Sequence, residues 1–175
     1  GRKTIEVLEK SEIEIENLYL VASKKSAGKK LKFKNKDIII EELEKYDFSK
    51  AKFTIFAAGS EIAKTWAPSA AKKTIVIDNS KYFRMNDEVP LVVAEVNPND
   101  LKNHKNIISN PNCSTIQLML PLKPLHDKYR IKRVIVSTYQ AVSGAGKASV
   151  DELFSQTKDY LNEKEIVSKN FSKQM

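Results

Sequence analysis

Short apolar runs alternate with amphipathic stretches along the first part of this chain. Residues 17–22 (NLYLVA), 37–40 (DIII), 52–58 (KFTIFAA) and 74–78 (TIVID) read as strands, with shorter ones expected over 89–96 and 106–109. Residues 2–10 read as a helix with Ile5 and Leu8 on one face, and 60–72 as a second helix, kinked at Pro68. Apolar strands separated by amphipathic helices specify a doubly wound parallel sheet. In that architecture ligands bind beyond the carboxyl ends of the strands, here the loops after Ala22, Ala58 and Asp78.

The pattern then changes. A long strand is expected over 131–141, a small-residue turn over 142–146, and a polar amphipathic helix over 147–161. The domain boundary is placed near 109–111, giving a Rossmann-type nucleotide-binding domain at 1–110 and the start of an α+β catalytic and dimerisation domain at 111–175. A dinucleotide fold has a strand and a Gly-rich turn before its first helix. That strand is not in the sequence, so a gap is expected in the middle of the sheet.

The formal charge of +8 raises nucleic acid as a partner, and the distribution argues against it. Of 30 basic residues only Arg2, Arg84, Arg130 and Arg133 are arginine, and the lysines are spread along the chain without an aromatic-interleaved block. Small anionic ligands suit such a surface better. No secretory signal or membrane-spanning apolar run is present, and a single cysteine fits a reducing compartment; the cytoplasm is expected. His104, His126 and one cysteine give no metal-ligand spacing, so no metal is expected.

That cysteine, Cys113, lies in Ser109-Asn110-Pro111-Asn112-Cys113-Ser114-Thr115. Pro111 holds Asn110 extended, Asn112 is a favoured helix cap, and an apolar helical run follows. Unpaired N–H groups and the helix dipole at such a turn favour a thiolate, the nucleophilic form. A lone cysteine is more often a small buried apolar side chain than a catalyst, and becomes a candidate nucleophile when partners exist elsewhere.

Candidate partners are present. The loop Ser23-Lys24-Lys25-Ser26 follows the strand at 17–22, where a dinucleotide fold meets the adenosine ribose. An acid there selects NAD; two lysines and two hydroxyls, without an acid, favour the 2′-phosphate of NADP. Gly59 and the Ser143-Gly144-Ala145-Gly146 turn let a ligand approach backbone closely. Arg84 offers a planar fork for phosphate or carboxylate, and Gln140 an amide that both donates and accepts. Each also has a plain reading as surface or turn residue.

Taken together, the cysteine segment, Thr138-Tyr139-Gln140-Ala141-Val142-Ser143-Gly144-Ala145-Gly146-Lys147, Asp78-Asn79-Ser80 with Phe83-Arg84-Met85, Val21-Ala22-Ser23 with Ser26-Ala27-Gly28-Lys29, and Glu95-Val96-Asn97 resemble the aspartate-semialdehyde dehydrogenases. The resemblance runs from Gly1, which looks like the last glycine of that family's Gly-rich turn, to about Lys147. It implies NADPH-dependent reduction of β-aspartyl phosphate to aspartate β-semialdehyde and phosphate, a branch-point step towards lysine, threonine and methionine. It implies Cys113 as the nucleophile that forms an acyl-thioester and Gln140 as the residue orienting substrate. Arg84 is implied to bind the acyl phosphate, with Asn112 close by. Lys25 and Ser26 are implied at the 2′-phosphate of NADP, with Ser143 and Gly144 near the nicotinamide; Ser23 and Gly59, from the loop reading, are further cofactor-binding candidates. A homodimer of the full-length protein is implied as well.

Three features depart from the family pattern. Its general-base histidine and a substrate-carboxylate arginine belong to a second half not in this sequence, and neither His104 nor His126 takes that role. Lys25 stands where many relatives carry arginine, keeping the charge and losing the fork. Glu95 follows alanine where relatives often have proline. Rival readings are N-acetyl-gamma-glutamyl-phosphate reductase, which usually has glycine at the Asn112 position, the more remote glyceraldehyde-3-phosphate dehydrogenase, and a non-catalytic fragment. Residues 1–175 alone are expected to show no turnover.

Overall fold

The computed structural model describes residues 1–171, which divide into two compact units, 1–130 and a second that begins at 131, later in the chain than residues 109–111. The first unit opens on α1 (Arg2–Lys10) and contains β1 (Leu20–Ala22), β2 (Lys30–Phe33), β3 (Lys36–Glu42), β4 (Phe53–Phe56), α2 (Ser60–Ala70), β5 (Ile75–Asp78), β6 (Ile107–Ser109) and α3 (Cys113–Tyr129). The second contains α4 (Lys147–Leu161).

Six strands form two three-stranded sheets, ordered β1-β3-β2 and β4-β5-β6. All pairs in the second sheet are parallel, with Phe56 opposite Asp78 and Asp78 opposite Ser109. In the first, β1 runs parallel to β3, and β2 and β3 form an antiparallel hairpin. The hairpin was not anticipated. Its turn residues Lys34 and Asn35 both have positive φ (46° and 63°), the geometry two-residue hairpins need, but Lys34 is not a residue that advertises it.

The core lies between the β4-β5-β6 sheet and α2. Ala63, Ala67 and Ala70 recur on one face of α2 and are fully buried, so their small side chains let the helix approach Phe56 and Val76 closely. Tyr46, Phe48 and Phe56 continue the cluster, Tyr46 edge-on to Phe48 with centroids 5.3 Å apart and Phe48 stacked on Phe56 at 6.3 Å. Burial, with the charges of Glu41, Tyr19 and Asp47 adding to it, pushes the Tyr46 hydroxyl up to about 12. α2 continues through Pro68 to Ala70 and closes in a turn.

Two expected strands do not form. Over 89–96 the pairing reduces to one bridge, Leu91 with Ser109, because Pro90 has no N–H and Asn97 bends the chain. The Asn97 carboxamide accepts from the Val93 N–H at 2.8 Å and donates to the Leu91 carbonyl at 2.9 Å. Residues 131–141 form no regular element, and Ile135 and Tyr139 stand 83% and 103% exposed. β-branched composition favours a pleated, half-buried surface, and among the described residues no strand pairs with this segment.

The second unit is organised by α4. Glu152 and Gln156 are buried on one face of that helix. The Glu152 carboxylate accepts from the Lys169 N–H (2.8 Å), the Asn170 N–H (2.6 Å) and Gln156 Nε2 (3.0 Å), fastening 168–170 to the helix.

Candidate active site

The site grows from the carboxyl ends of β4, β5 and β6. At the end of β5, Asp78 is fully buried and its carboxylate accepts from the Ser80 N–H at 3.0 Å and the Ser80 hydroxyl at 2.7 Å. Ser80 Oγ in turn accepts from the Tyr82 N–H at 3.1 Å. These bonds close the loop that carries Arg84. The Arg84 guanidinium donates through Nε to the Asn110 carbonyl (2.9 Å) and through Nη2 to the Asn79 carbonyl (3.2 Å). Two of its five N–H donors are used, leaving three for a ligand.

Past β6 the chain turns at Asn110. Its N–H donates to the Asp78 carbonyl at 2.8 Å, and its side-chain amide donates to Asn79 Oδ1. Pro111 is buried, and Asn112 caps α3 as its position predicts, Oδ1 accepting from the Ser114 N–H at 2.9 Å. Cys113 is the first residue of the helix and is exposed; its thiol lies 3.9 Å from Asn112 Oδ1. Buried Ser109, whose hydroxyl has no partner among the described residues, ends the strand beneath. Arg84, Asn112 and Cys113 are therefore joined through Asn110. Asn79 and Asn110 were overlooked as contributors, although Asp78-Asn79-Ser80 after a strand is a recognisable turn composition.

The other candidate residues lie on separate loops. Ser23, Lys25 and Ser26 form the turn after β1, where Ser23 O accepts from the Ser26 N–H (2.8 Å) and the Ala27 N–H (3.1 Å). Gly28, with φ +82°, donates to the Ile40 carbonyl at 2.9 Å, and Ser23 and Lys25 are exposed. Gly59 caps α2 with φ +91°, and the space a Cβ would occupy there is open. In the second unit Gln140 Nε2 donates to Thr138 Oγ1 at 3.0 Å, and Ser143 and Gly144 lie in a 3₁₀ turn before α4, both exposed. Among the described residues no three His, Cys, Asp or Glu side chains converge as metal ligands, and no helix is long and apolar enough to cross a membrane.

Parallel strands with an α-helix packed on them, ligand-facing loops at their carboxyl ends and a glycine at the β4–α2 turn define a Rossmann-type nucleotide-binding domain. Residues 1–104 match the family model described as semialdehyde dehydrogenase, NAD binding domain, and residues 122–175 the one described as semialdehyde dehydrogenase, dimerisation domain. The chain belongs to the semialdehyde dehydrogenase family.

Among curated relatives it is 44% identical to aspartate-semialdehyde dehydrogenase 2 of Vibrio cholerae, over 100% of this chain and 53% of that protein. It is 49% identical to the aspartate-semialdehyde dehydrogenase of Aquifex aeolicus, over 95% of this chain and 50% of that protein. It thus spans about half the length of the curated relatives it matches. The crystal structure of aspartate semialdehyde dehydrogenase II from Vibrio cholerae complexed with ASA superposes with a TM-score of 0.91 at 43% identity, covering 100% of this chain and 53% of that one. The Candida albicans aspartate semialdehyde dehydrogenase with NADP superposes with a TM-score of 0.62 at 30% identity, covering 74% and 44%.

Proposed function

We propose that the protein carrying this chain reduces β-aspartyl phosphate to aspartate β-semialdehyde and phosphate with NADPH, through a thioester on Cys113, in the cytoplasmic synthesis of lysine, threonine and methionine. The observation that carries this reading is the placement of Cys113: exposed, first in a 17-residue helix, on a turn that Arg84 and Asn110 tie to the carboxyl end of a parallel sheet. Residues 1–110 form the NADP-binding part, and 111–175 begin the part that completes catalysis and dimerises.

In this reading the Cys113 sulfur attacks the acyl carbon of the substrate. A C–S bond forms as the C–O bond to phosphate breaks, and both electrons leave with the phosphate. Arg84 offers its remaining donors to the phosphate oxygens as charge develops there, already aimed by its two carbonyl bonds. Asn112 sits against the thiol and keeps the first turn of α3 closed. Gln140 orients the acyl group. NADPH, when bound, supplies the hydride that converts the thioester to the aldehyde, freeing the thiol.

The residues present suit that cofactor. Lys25 and Ser26 offer a cation and a hydroxyl on a loop pre-set by its own hydrogen bonds, and the open space at Gly59 leaves room for a pyrophosphate against the start of α2. Ser143 and Gly144 are the small residues that would leave a flat ring such as the nicotinamide close access to backbone.

Two measurements test the reading. Cys113, the only thiol, should alkylate faster at neutral pH in the folded chain than in the unfolded one. In the full-length protein Cys113→Ser should abolish phosphate-dependent NADP reduction by aspartate semialdehyde. A serine variant retaining a near-normal rate rules the mechanism out.

A further inference from the structure

We propose that Asn79 is a positioning residue for Cys113, acting through Asn110. The inference rests on Cys113 being the nucleophile. Asn79 and Asn110 lie just past the carboxyl ends of the adjacent parallel strands β5 and β6. Sheet pairing carries both exits as far as the main chain of Asn79 and Asn110, and beyond that it does not fix how the two loops stand to each other. Here they are cross-linked at three levels.

Main chain meets main chain where the Asn110 N–H donates to the Asp78 carbonyl at 2.8 Å. Side chain meets main chain where Arg84 bonds the carbonyls of both asparagines, at 3.2 Å to Asn79 and 2.9 Å to Asn110. Side chain meets side chain where Asn110 Nδ2 donates to Asn79 Oδ1. Asn79 is itself anchored, its N–H donating to the Phe56 carbonyl at the end of β4 at 3.0 Å. It therefore refers the cysteine turn to β4 as well as to β5.

What Asn110 fixes reaches Cys113 with little loss. Pro111 is buried and its ring locks φ, and Asn112 is held by its cap bond to Ser114. Among the described residues the Asn79–Asn110 amide pair is the side-chain to side-chain bond that joins the two exit loops directly. Asn79 is exposed, so water competes for its oxygen and the effect is moderate, about 2- to 10-fold.

The test uses the 175-residue chain with Asn79→Ala, Asn110→Ala, the double variant and Asn79→Asp, which keeps the accepting oxygen. Hydrogen exchange of the Ser114 and Ile116 amides reports the turn directly, and iodoacetamide alkylation reports Cys113. Expected are exchange at both amides faster by about 2- to 10-fold and altered alkylation in each alanine variant, a double variant no worse than either single, unchanged melting temperature, and exchange restored by Asn79→Asp. Unchanged exchange in Asn79→Ala, effects that multiply in the double variant, or loss of the effect's distinction from global melting overturns the proposal. The two readings separate cleanly. A wild-type thiol no faster than in the unfolded chain refutes the nucleophile, and the exchange data still decide the brace. A fast wild-type thiol with exchange indifferent to Asn79 refutes the brace and leaves the nucleophile standing.

Discussion

Arg84 Nε donates to the main-chain carbonyl of Asn110 at 2.9 Å, so the Arg84 guanidinium is fixed by the same turn that presents Cys113. Arg84 also reaches the Asn79 carbonyl, and two bonds in different directions require a planar fork. Lysine keeps the charge but is a point donor on a flexible stem. Arg84→Lys should therefore lower kcat/KM for the acyl phosphate by about 10- to 100-fold, the equivalent of one charge-assisted hydrogen bond of roughly 1.5–3 kcal/mol. Steady-state kinetics of the full-length protein at varied acyl phosphate checks this. A lysine variant within twofold of wild type would show that charge alone suffices.

Gly59 has φ +91° and ψ 172°, a region in which L side chains are strained, at the entry to α2. No heavy atom lies within 4 Å of where its Cβ would be, so a methyl group clashes with nothing. Gly59→Ala isolates backbone strain from packing and should destabilise by about 1–3 kcal/mol. Chemical denaturation measures it. A cost near zero would mean the turn relaxes into a conformation open to alanine.

Lys25 sits exposed in a turn already closed by the Ser23 carbonyl, so little ordering entropy is lost when an anion meets it. It faces a group that NADPH has and NADH lacks in the proposed pose. Lys25→Ala should weaken NADPH binding by about 10-fold or more and change NADH binding less than about twofold. Fluorescence titration of the full-length protein with both nucleotides checks the difference. Equal losses would place the lysine elsewhere on the cofactor.

Elements whose signal is local were legible in the sequence. The helix from Arg2 to Lys10 and the one from Lys147 to Leu161 have the bounds expected, and Asn112 caps α3 as its residue type dictates. The strands at β4 and β5 followed from short apolar runs. What failed depended on partners that periodicity cannot show. Residues 131–141 have strand composition and no strand beside them, and 89–96 lost its pairing to Pro90 and the Asn97 turn. The residues of the cysteine turn were visible because they are contiguous. The Asn79–Asn110 link was not, because it joins loops far apart in the chain.

Glu152 holds 168–170 against α4 through the Lys169 and Asn170 N–H groups. The bond from the Lys169 N–H, then those from Asn170 and Gln156, hold its carboxyl below the ordinary glutamate value of 4.5. A depressed folded-state value means the stabilisation is fully present above the unfolded value and is lost as pH falls through the folded one. Protonation replaces an acceptor facing two N–H groups by an acid with less accepting capacity, and both groups are left to water. The Lys169 and Asn170 amides should therefore keep their protection above pH 4.5 and lose it on acidification below that value. Glu152→Gln should show faster exchange at neutral pH as well, because a carboxamide presents one accepting oxygen where two were engaged. Hydrogen exchange of those two amides from acid to neutral pH measures both. Protection that persists in Glu152→Gln would mean the segment is held by contacts other than this carboxylate.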